Sequence, residues 1–340
     1  MNLRERVPLA PLTTFHIGGP ARFFVEAHTE EDIHAALREA QQRGLPVIPL
    51  GGGSNVVVPD TGVDGLVLKI AMGSLVFHDD RETTLIIVDA GARWDAVVDA
   101  ALEHNLFGIE NLAGIPGTIG GAAVQNIGAY GAELSSVFEY ADVIETSTGT
   151  TRRIDRSESA FGYRTSFFKK NPIYIIIRVA LRLPKHAPLN LTYKDLARVQ
   201  ATGAPLTTPA EIADVVRGIR KEKFPQNTEE GTAGSFFKNP VLSQAQTETL
   251  VETYPGLPRF PQHDGSVKIS LAWVLDHILS LNGFSLGPAR LYEKQPIVIV
   301  TRPHALATDV FALAQEIELR VYDALHIRVA HEVEIFDVKK

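Results

Sequence analysis

Two glycine-rich segments are the feature that most limits how this chain can fold. The first, Gly51-Gly52-Gly53-Ser54-Asn55, follows directly after the short apolar run Val47–Leu50, and the second spans 114–121. Glycine destabilises helices and strands, so both segments are predicted to be loops. Backbone N–H groups in a loop after a strand can converge on an anion. The pair therefore indicates a diphosphate-containing ligand held between two loops, with two tight turns as the alternative.

Neither loop has the pattern of a common nucleotide-binding motif. The first loop lacks the Gly-Lys-Ser/Thr ending of a phosphate-binding P-loop. The glycine spacing of the Rossmann fingerprint, which opens a helix, is also absent. The two loops therefore point to a diphosphate without pointing to either of these folds.

The composition limits the size and the partners of the protein. The chain has 340 residues, of which 45% are hydrophobic and 21% charged, and this length suggests two or three domains. Its formal net charge of −7 argues against nucleic acid as the main partner, because phosphate backbones bind basic surfaces. A small anionic ligand needs only a local group of Lys and Arg side chains, so it stays open.

Residue usage also excludes several kinds of site. The chain has no cysteine, which removes disulfides, thiolate nucleophiles and cysteine–metal centres. Its 11 histidines show no ligand spacing, so no metal site is predicted. No apolar stretch approaches the ~20 residues of a membrane span, and no signal-peptide run follows the first residues. We therefore expect a cytoplasmic protein with no membrane partner.

Helix and strand patterns alternate along the chain, which indicates an α/β or α+β fold. Thr29 with Asp32 and Thr208 with Glu211 are typical helix starts, and Gly44 is a typical helix end. A loop or linker is predicted over 184–207, and a domain boundary near 205–225. The predicted helices are 29–44, 94–104, 208–223, 271–281 and 308–325, and the predicted strands are 47–50, 63–70, 84–88, 141–146, 174–183 and 297–300.

Three further segments carry side chains that could do chemistry. Arg164, beside aromatic rings at 161 and 163, could hold a carboxylate with its planar fork or simply be a surface residue. Ser235 is predicted on an open loop with two phenylalanines behind it, and a turn with buried Phe is the alternative. Glu332 and Glu334 alternate with apolar residues, so both carboxylates should lie on one face of a strand, which is usually a solvated face.

Taken together and in this order, these segments resemble the UDP-N-acetylenolpyruvoylglucosamine reductase family, the bacterial flavoenzymes of peptidoglycan precursor synthesis. The likeness covers nearly the whole chain, and residues 184–195 resemble the tyrosine-bearing loop of the longer type of these enzymes. Pro288 and Thr301 depart from the common pattern. The matching segments are Thr14-Phe15-His16-Ile17-Gly18-Gly19, residues 51–55, Ile115-Pro116-Gly117, residues 125–131, Phe161-Gly162-Tyr163-Arg164, residues 234–240 and Glu332-Val333.

The resemblance implies an α+β protein with a vanillyl-alcohol-oxidase/PCMH-type FAD-binding fold of two subdomains. These subdomains are expected over 1–70 and 71–207, with the PCMH-type FAD domain at about 17–187. A C-terminal α+β domain, 208–340, is expected to bind the substrate. Its last residues either stay in that domain or return to the first subdomain.

The resemblance also implies an activity, in which NADPH reduces non-covalently bound FAD and the flavin passes a hydride to the enolpyruvyl group of a UDP-sugar. The product would be UDP-N-acetylmuramate. The alternatives are an FAD-linked alcohol or hydroxy-acid oxidase and a non-catalytic flavin or nucleotide-sugar binding module. Ser235 matches the proton donor, and Arg164 the group that stabilises negative charge at the substrate carboxylate. Glu332 matches the catalytic glutamate, which we expect to be protonated.

The family likeness assigns the remaining site residues, and a monomer is expected. The residues matched to FAD are Gly51, Gly52, Gly53, Ser54, Asn55, Ile115, Pro116, Gly117, Thr118 and Arg220. The residues matched to the UDP-sugar are Tyr130, Tyr163, Tyr193, Lys223, Asn239 and Gln295.

Overall fold

The first glycine loop lies at the edge of a four-stranded sheet. The structure is a computed structural model that describes residues 1–225, 230–262 and 264–336. The first part of the chain, residues 1–70, contains the elements β1 (Arg4–Pro8), β2 (Pro20–Ala27), α1 (Glu30–Arg43), β3 (Val47–Leu50), β4 (Val56–Val57) and β5 (Val63–Ile70). The sheet has the order β1-β2-β5-β3, in which β5 runs parallel to both of its neighbours. The first loop follows β3 directly.

Helix α1 forms as its sequence predicts. The Thr29 side chain accepts a hydrogen bond from the backbone N–H of Asp32 and so satisfies a donor that the first turn leaves unpaired. Gly44 ends the helix in the left-handed conformation, with φ of 63°. Between these ends, Ile33 and Leu37 are buried against the sheet.

The second glycine loop belongs to a part of the chain built on a five-stranded antiparallel sheet. Its elements are β6 (Leu75–Asp79), β7 (Thr83–Asp89), α2 (Trp94–Glu103), α3 (Ile119–Gln125), β8 (Gly128–Ala129), β9 (Ala132–Glu133), β10 (Phe138–Glu145), β11 (Thr151–Asp155), α4 (Phe167–Lys170), β12 (Tyr174–Pro184) and α5 (Lys194–Ala201). The sheet has the order β11-β10-β12-β7-β6, and β8 and β9 form a separate hairpin. The loop predicted over 114–121 ends at Thr118, because Thr118 caps α3 and residues 119–121 form the first turn of that helix.

The prediction of a loop over 184–207 is wrong, because this stretch contains α5. The helix has eight residues, and its first residue follows Tyr193 without a side-chain cap. Its buried residues, Asp195 and Leu196, contact neighbouring elements that lie outside the segment itself. Packing therefore stabilises a helix that is too short to form on local propensity alone.

The third part of the chain consists of the described residues from 209 to 336. It contains a four-stranded sheet, a three-stranded sheet and four α-helices. The elements are α6 (Pro209–Lys223), β13 (Gly231–Ser235), β14 (Val241–Leu242), α7 (Gln244–Thr253), β15 (Arg259–Pro261), β16 (Val267–Ile269), α8 (Leu271–Trp273), β17 (Ser285–Leu286), β18 (Ala289–Tyr292), β19 (Gln295–Thr301), α9 (Ala307–Leu325) and β20 (Glu334–Ile335). The sheet orders are β13-β19-β18-β17 and β14-β16-β15. The capping box predicted at Thr208 and Glu211 is confirmed.

Three local predictions for this part need correction. The helix predicted over 271–281 is α-helical only over Leu271–Trp273 and continues as a wider π turn over Val274–Ile278, because Leu279 N–H bonds to the carbonyl of Val274. Ser235 is the last residue of strand β13 rather than part of a free loop, because β13 pairs with β19. Glu332 lies in a bend before β20, which covers only Glu334–Ile335.

The N-terminal segment 14–17 packs into the core of the third part. Phe15 is 1% exposed and meets Phe236 edge-on, with ring centroids 6.4 Å apart. The carbonyl of Thr14 accepts a 2.9 Å hydrogen bond from Thr232 N–H in β13. Thr301, which departs from the family pattern, donates its hydroxyl to the carbonyl of Phe15 at 3.3 Å. These contacts fix β13 against the beginning of the chain.

The end of the described chain returns to the first part. Strand β20 pairs in parallel with β4, so that Glu334 lies opposite Val56. The proposed division of the chain at residues 70 and 207 stays a prediction. Within the described ranges, no helix combines the length and apolarity that crossing a membrane requires, and no cluster of acidic and histidine side chains is arranged to hold a metal ion.

A prediction for stability follows from Asp60, whose carboxylate caps α9 from the first part of the chain. It accepts hydrogen bonds from Ala307 N–H at 2.7 Å and Thr308 N–H at 3.0 Å. Asp60→Ala should lower the free energy of unfolding by about 1–2 kcal/mol, the usual effect of losing a helix cap. Denaturant unfolding measures it.

The matched control is Asp64→Ala, at an exposed position in the neighbouring strand β5. Asp64 makes only an exposed ion pair with Arg22 at 3.0 Å, which is worth little in water. Equal stability losses in the two variants would show that Asp60 does not hold α9.

Candidate active site

A large cavity is lined by residues from all three parts of the chain. Its volume is about 890 Å³, within the range of sites for large organic ligands. The cavity is lined by Leu50 from the first sheet, Ile176 from the five-stranded sheet and Ala233 from β13. Both glycine loops line it, and so do Arg164, Ser235 and Glu332.

The two glycine loops touch each other along this wall, backbone against backbone. A Cβ atom on Gly52 would lie 2.7 Å from the Cα of Gly117, so neither loop could carry a side chain at this contact. The Ser54 hydroxyl donates a 3.1 Å hydrogen bond to the carbonyl of Pro116 and links the loops. This contact brings the two segments together, as expected for loops that share one ligand.

Arg220 places a positive charge beside the second glycine loop. Its Nε donates to the carbonyl of Gly114 at 3.0 Å, and its guanidinium lies over the ring of Phe224 at 4.7 Å. Burial lowers the pKa of Arg220, while the neighbouring Tyr130 and Asp95 oppose that shift. The guanidinium and the glycine backbones together suit a diphosphate, so the residues present fit FAD.

Arg164 is held in a tight turn with an unfavourable backbone conformation. Its φ is 53°, and the turn is closed by hydrogen bonds between Gly162 and Thr165. One guanidinium nitrogen donates to the carbonyl of Gly128 at 2.5 Å, and Nε donates to Oε1 of Glu332 at 2.9 Å. A bulky residue in the left-handed region costs free energy, and such strain concentrates at functional sites.

Glu332 is fixed through its backbone as well as its carboxyl group. Its N–H donates to the carbonyl of Phe236 at 2.8 Å, and its carbonyl accepts from Asn55 Nδ2 at 3.2 Å. The Glu332 side chain is 13% exposed, and that of Arg164 is 16% exposed. One residue therefore contacts the first glycine loop, the arginine turn and the segment next to Ser235.

Ser235 is the last residue of β13 and lines the cavity. Gly234 before it has φ of 73°, and open space surrounds the position where its Cβ would be. Phe236 and Phe237 behind it are fully buried, which confirms the predicted apolar wall. The serine is therefore accessible from the cavity while its strand is anchored from behind.

The residues matched to the UDP-sugar divide into two groups. The cavity wall includes Tyr130, Tyr193, Lys223 and Gln295. Tyr163 and Asn239 instead line an adjacent pocket of about 270 Å³. There, Asn239 N–H donates to the Tyr163 hydroxyl at 3.3 Å and Asn239 Oδ1 accepts from Leu271 N–H at 2.9 Å.

The tyrosines at one end of the cavity contact each other. Tyr130 and Tyr193 meet edge-on, with centroids 5.2 Å apart. Burial raises the pKa of Tyr130 to about 12, although the Arg220 charge opposes the shift. Lys223 forms an ion pair with Asp195 at the start of α5. Here the cavity wall combines the phenols of Tyr130 and Tyr193 with the positive charges of Arg220 and Lys223.

Sequence reasoning did not single out Gln125 and Lys169, which adjoin the catalytic candidates. Gln125 Nε2 donates to Oε1 of Glu332 at 3.2 Å, and Lys169 Nζ donates to Gln125 Oε1 at 2.9 Å. Gln125 lies in a segment that carries the family likeness, but its spacing from Glu332 carries no local signal.

The comparisons with known proteins first define a class. Residues 21–155 match the family model described as an FAD binding domain. With the paired glycine loops and the cationic cavity, this match defines an FAD-dependent oxidoreductase of α+β architecture with a PCMH-type FAD-binding fold. The expectations for the fold class and for FAD are confirmed.

The particular family follows from matches along the whole chain. Residues 226–336 match the model described as UDP-N-acetylenolpyruvoylglucosamine reductase, C-terminal domain. The enzyme of that name from Pseudomonas aeruginosa is 39% identical over 321 residues, covering 94% of each chain. The one from Burkholderia multivorans is 42% identical over 318 residues, covering 92% of this chain and 90% of its own.

A solved structure agrees with these sequence matches. The UDP-N-acetylenolpyruvylglucosamine reductase of Thermus caldophilus has a TM-score of 0.69 and 28% identity, and the match covers 99% of this chain and 100% of the other. This protein belongs to the UDP-N-acetylenolpyruvoylglucosamine reductase family. The resemblance carried by its motifs is therefore confirmed.

A prediction for cofactor binding follows from the contact between the loops. Gly52→Ala places a Cβ 2.7 Å from the Gly117 backbone and must separate the loops. We expect the FAD dissociation constant to rise about tenfold or more, equivalent to about 1.4 kcal/mol. Titration of flavin fluorescence measures the constant.

The control for this prediction is Gly73→Ala. Apart from its two chain neighbours, no described residue has an atom within 4 Å of the position where that Cβ would be, so FAD affinity should stay unchanged. If Gly52→Ala binds FAD as tightly as the control, the loops do not hold the cofactor.

A second prediction concerns alkaline pH. Because burial raises the pKa of Tyr130 to about 12, the folded protein keeps a proton that the unfolded chain loses near pH ~10. The contribution of Tyr130 to the free energy of unfolding should therefore be fully present below that pH and should be lost as the pH rises toward 12. Tyr130→Phe should flatten this decline, whereas Tyr322→Phe, at an exposed side chain, should preserve it. Equal slopes in both variants would contradict the assignment.

Proposed function

We propose that this protein reduces the enolpyruvyl ether of UDP-N-acetylglucosamine to UDP-N-acetylmuramate in peptidoglycan precursor synthesis, with NADPH as the electron donor. The observation that carries the proposal is the meeting of Arg164, Glu332 and Ser235 in one cavity beside the glycine loops. Relatives that match over nearly their whole length carry the name of this reductase.

The glycine loops and Arg220 are the residues proposed to hold the cofactor. Residues 51–55 and 115–118 offer backbone N–H groups, and the guanidinium of Arg220 offers a fixed positive charge. Bound FAD supplies hydride transfer, chemistry that no amino-acid side chain provides. The cofactor is proposed to be non-covalent, since the chain has no cysteine for a thioether link.

Arg164 is proposed to stabilise negative charge at the substrate carboxylate. Adding a hydride to the terminal carbon of an enolpyruvyl group drives charge onto that carboxylate. The Arg164 guanidinium is already held by the Gly128 carbonyl at 2.5 Å, so it needs little reorganisation to act. A preorganised cation where charge develops lowers the barrier most effectively.

Glu332 is proposed to donate a hydrogen bond to the same carboxylate, in its protonated form. An ionised carboxylate next to the developing negative charge would raise the barrier. The hydrogen bonds of its main chain to Phe236 and Asn55 keep the side chain directed at one place in the cavity.

Ser235 is proposed to deliver the proton to the carbon next to the carboxylate. A serine hydroxyl is a weak acid, so this step needs a strongly basic intermediate and a nearby positive field. Arg164 lines the same cavity and is proposed to supply that field, and Gly234 leaves the approach to the hydroxyl open.

The part of the cavity wall formed by Tyr130, Tyr193, Lys223 and Gln295 is proposed to hold the UDP-sugar. Lys223 is suited to the diphosphate, and Tyr130 and Tyr193 offer neutral hydroxyls beside apolar rings. Gln295 lines the same cavity. Tyr163 and Asn239 are proposed to act from the adjacent pocket, by supporting the turn that carries Arg164.

An FAD-linked oxidase and a non-catalytic binding module remain the competing functions. An oxidase needs no proton donor at the position of Ser235, and a binding module needs none of the three catalytic candidates. A monomer in the cytoplasm completes the proposal. Anaerobic mixing decides between the functions: NADPH should bleach the flavin, and the enolpyruvyl UDP-sugar should restore its colour.

A prediction for Ser235 separates the two half-reactions. Ser235→Ala should bleach with NADPH at nearly the normal rate, because that step needs no proton from the serine. Reoxidation by the enolpyruvyl substrate should slow by about 10³-fold or more, near the upper range for general acid catalysis. Anaerobic stopped-flow absorbance of the flavin follows both phases.

Two further variants complete this experiment. Ser235→Cys keeps a proton donor and should lose less activity, while Ser74→Ala, at an exposed serine, should behave as the unmodified enzyme. Reoxidation of Ser235→Ala within tenfold of the unmodified rate would make the serine a structural residue at the end of β13.

A further inference from the structure

The amide of Gln125 lies between the partly buried ammonium of Lys169 and the carboxyl group of Glu332. Gln125 is the last residue of α3 and is 7% exposed, and the Lys169 side chain on α4 is 15% exposed. Lys169 Nζ contacts Gln125 Oε1 at 2.9 Å, and Gln125 Nε2 contacts Glu332 Oε1 at 3.2 Å. The three side chains form one chain of hydrogen bonds.

Lys169 determines which way this amide points. A lysine ammonium can only donate, so the atom that it contacts must be the amide oxygen. The amide nitrogen then faces Glu332, which leaves the Glu332 oxygen as the acceptor. The orientation of a glutamine is normally assigned from its hydrogen-bonding network, and here the network allows one answer.

The position of Lys169 is itself fixed by buried contacts. Ser166 is fully buried and donates its hydroxyl to the carbonyl of Val124 at 2.7 Å, which ties α4 to the last turn of α3. The same oxygen accepts from Lys169 N–H at 3.1 Å. The Lys169 ammonium is also balanced by Glu334, at 2.6 Å.

The network treats the two oxygens of Glu332 differently. Oε1 accepts from both Arg164 Nε and Gln125 Nε2, at 2.9 and 3.2 Å. Among the described residues no hydrogen bond reaches Oε2, so a proton on this carboxyl group belongs on Oε2. The other charged groups around the carboxyl are Lys169, Glu334 and Lys238.

We propose that Gln125 is a positioning residue, oriented by Lys169, that reserves Oε1 of Glu332 for the protein and leaves Oε2 to donate to the substrate. This inference rests on the proposed function of Glu332. Lys169 acts on Glu332 through the amide, whereas its ion pair with Glu334 lies outside that route. Without Lys169 the amide can turn over, present its oxygen to Glu332 and draw the proton toward Oε1.

A double-mutant cycle tests the order of this network. Gln125→Met removes the donor and should slow substrate reoxidation of the flavin about fivefold to tenfold, as expected for a lost hydrogen bond to a neutral carboxyl group. Lys169→Met should slow it several-fold, and Lys169→Arg, which keeps a donor, should retain most of the rate. In the Gln125→Met background, Lys169→Met should cost nothing further. Reduction by NADPH should stay within twofold throughout.

The matched control is Lys170→Met, because Lys170 is the exposed neighbour of Lys169 on the same helix. Full additivity of the Gln125 and Lys169 substitutions, or equal losses in both half-reactions, would overturn the proposal. Purely structural damage would slow both half-reactions together.

A second measurement does not depend on turnover. In the FAD-loaded protein, the ¹⁵N side-chain amide signal of Gln125 can be assigned by its absence in Gln125→Met. Lys169→Met should shift this signal and speed its hydrogen exchange, while Lys170→Met should leave both unchanged. An unmoved signal in Lys169→Met would overturn the network. If the unmodified enzyme fails to reduce the enolpyruvyl substrate, the proposed function fails, and the amide signal still tests the network.

Discussion

The return of residues 331–336 to the first glycine loop is the constraint on which the rest of the site depends. Glu334 N–H donates to the carbonyl of Asn55 at 2.9 Å, and Asn55 Nδ2 donates to the carbonyl of Glu332 at 3.2 Å. Glu332 N–H in turn donates to Phe236 at 2.8 Å. Three segments far apart in sequence, the first glycine loop, the Ser235 strand and residues 332–334, are thus held by backbone hydrogen bonds, which tolerate little displacement.

The same constraint holds Glu332 beside the Arg164 guanidinium in one cavity. The hydrogen bonds of Arg164 to Gly128 and Glu332 offset the cost of its strained backbone. They also fix the guanidinium before any ligand binds. A half-satisfied arrangement of buried polar groups would be costly. No buried side-chain nitrogen or oxygen of the described residues lacks a partner. The site is therefore rigid where charge is proposed to develop.

Features that depend on neighbouring residues could be predicted from the sequence, and features that depend on distant contacts could not. The caps at Thr29 and Thr208 and the two glycine loops follow from local backbone preferences. Helix α5 was missed because it is stabilised by packing on other elements. The contact of Gln125 with Glu332 spans 207 residues, and no periodicity in the sequence marks such a pair. The roles of Arg164, Ser235 and Glu332 came from the family likeness and not from spacing.

The most direct test of this account is a crystal structure of the protein with FAD and the enolpyruvyl UDP-sugar bound. The account predicts that the substrate carboxylate lies at hydrogen-bonding distance, about 3 Å, from both the Arg164 guanidinium and Oε2 of Glu332. The Ser235 hydroxyl should face the carbon next to that carboxylate. A carboxylate bound instead at Lys223, with Ser235 directed away from the enolpyruvyl group, would contradict it.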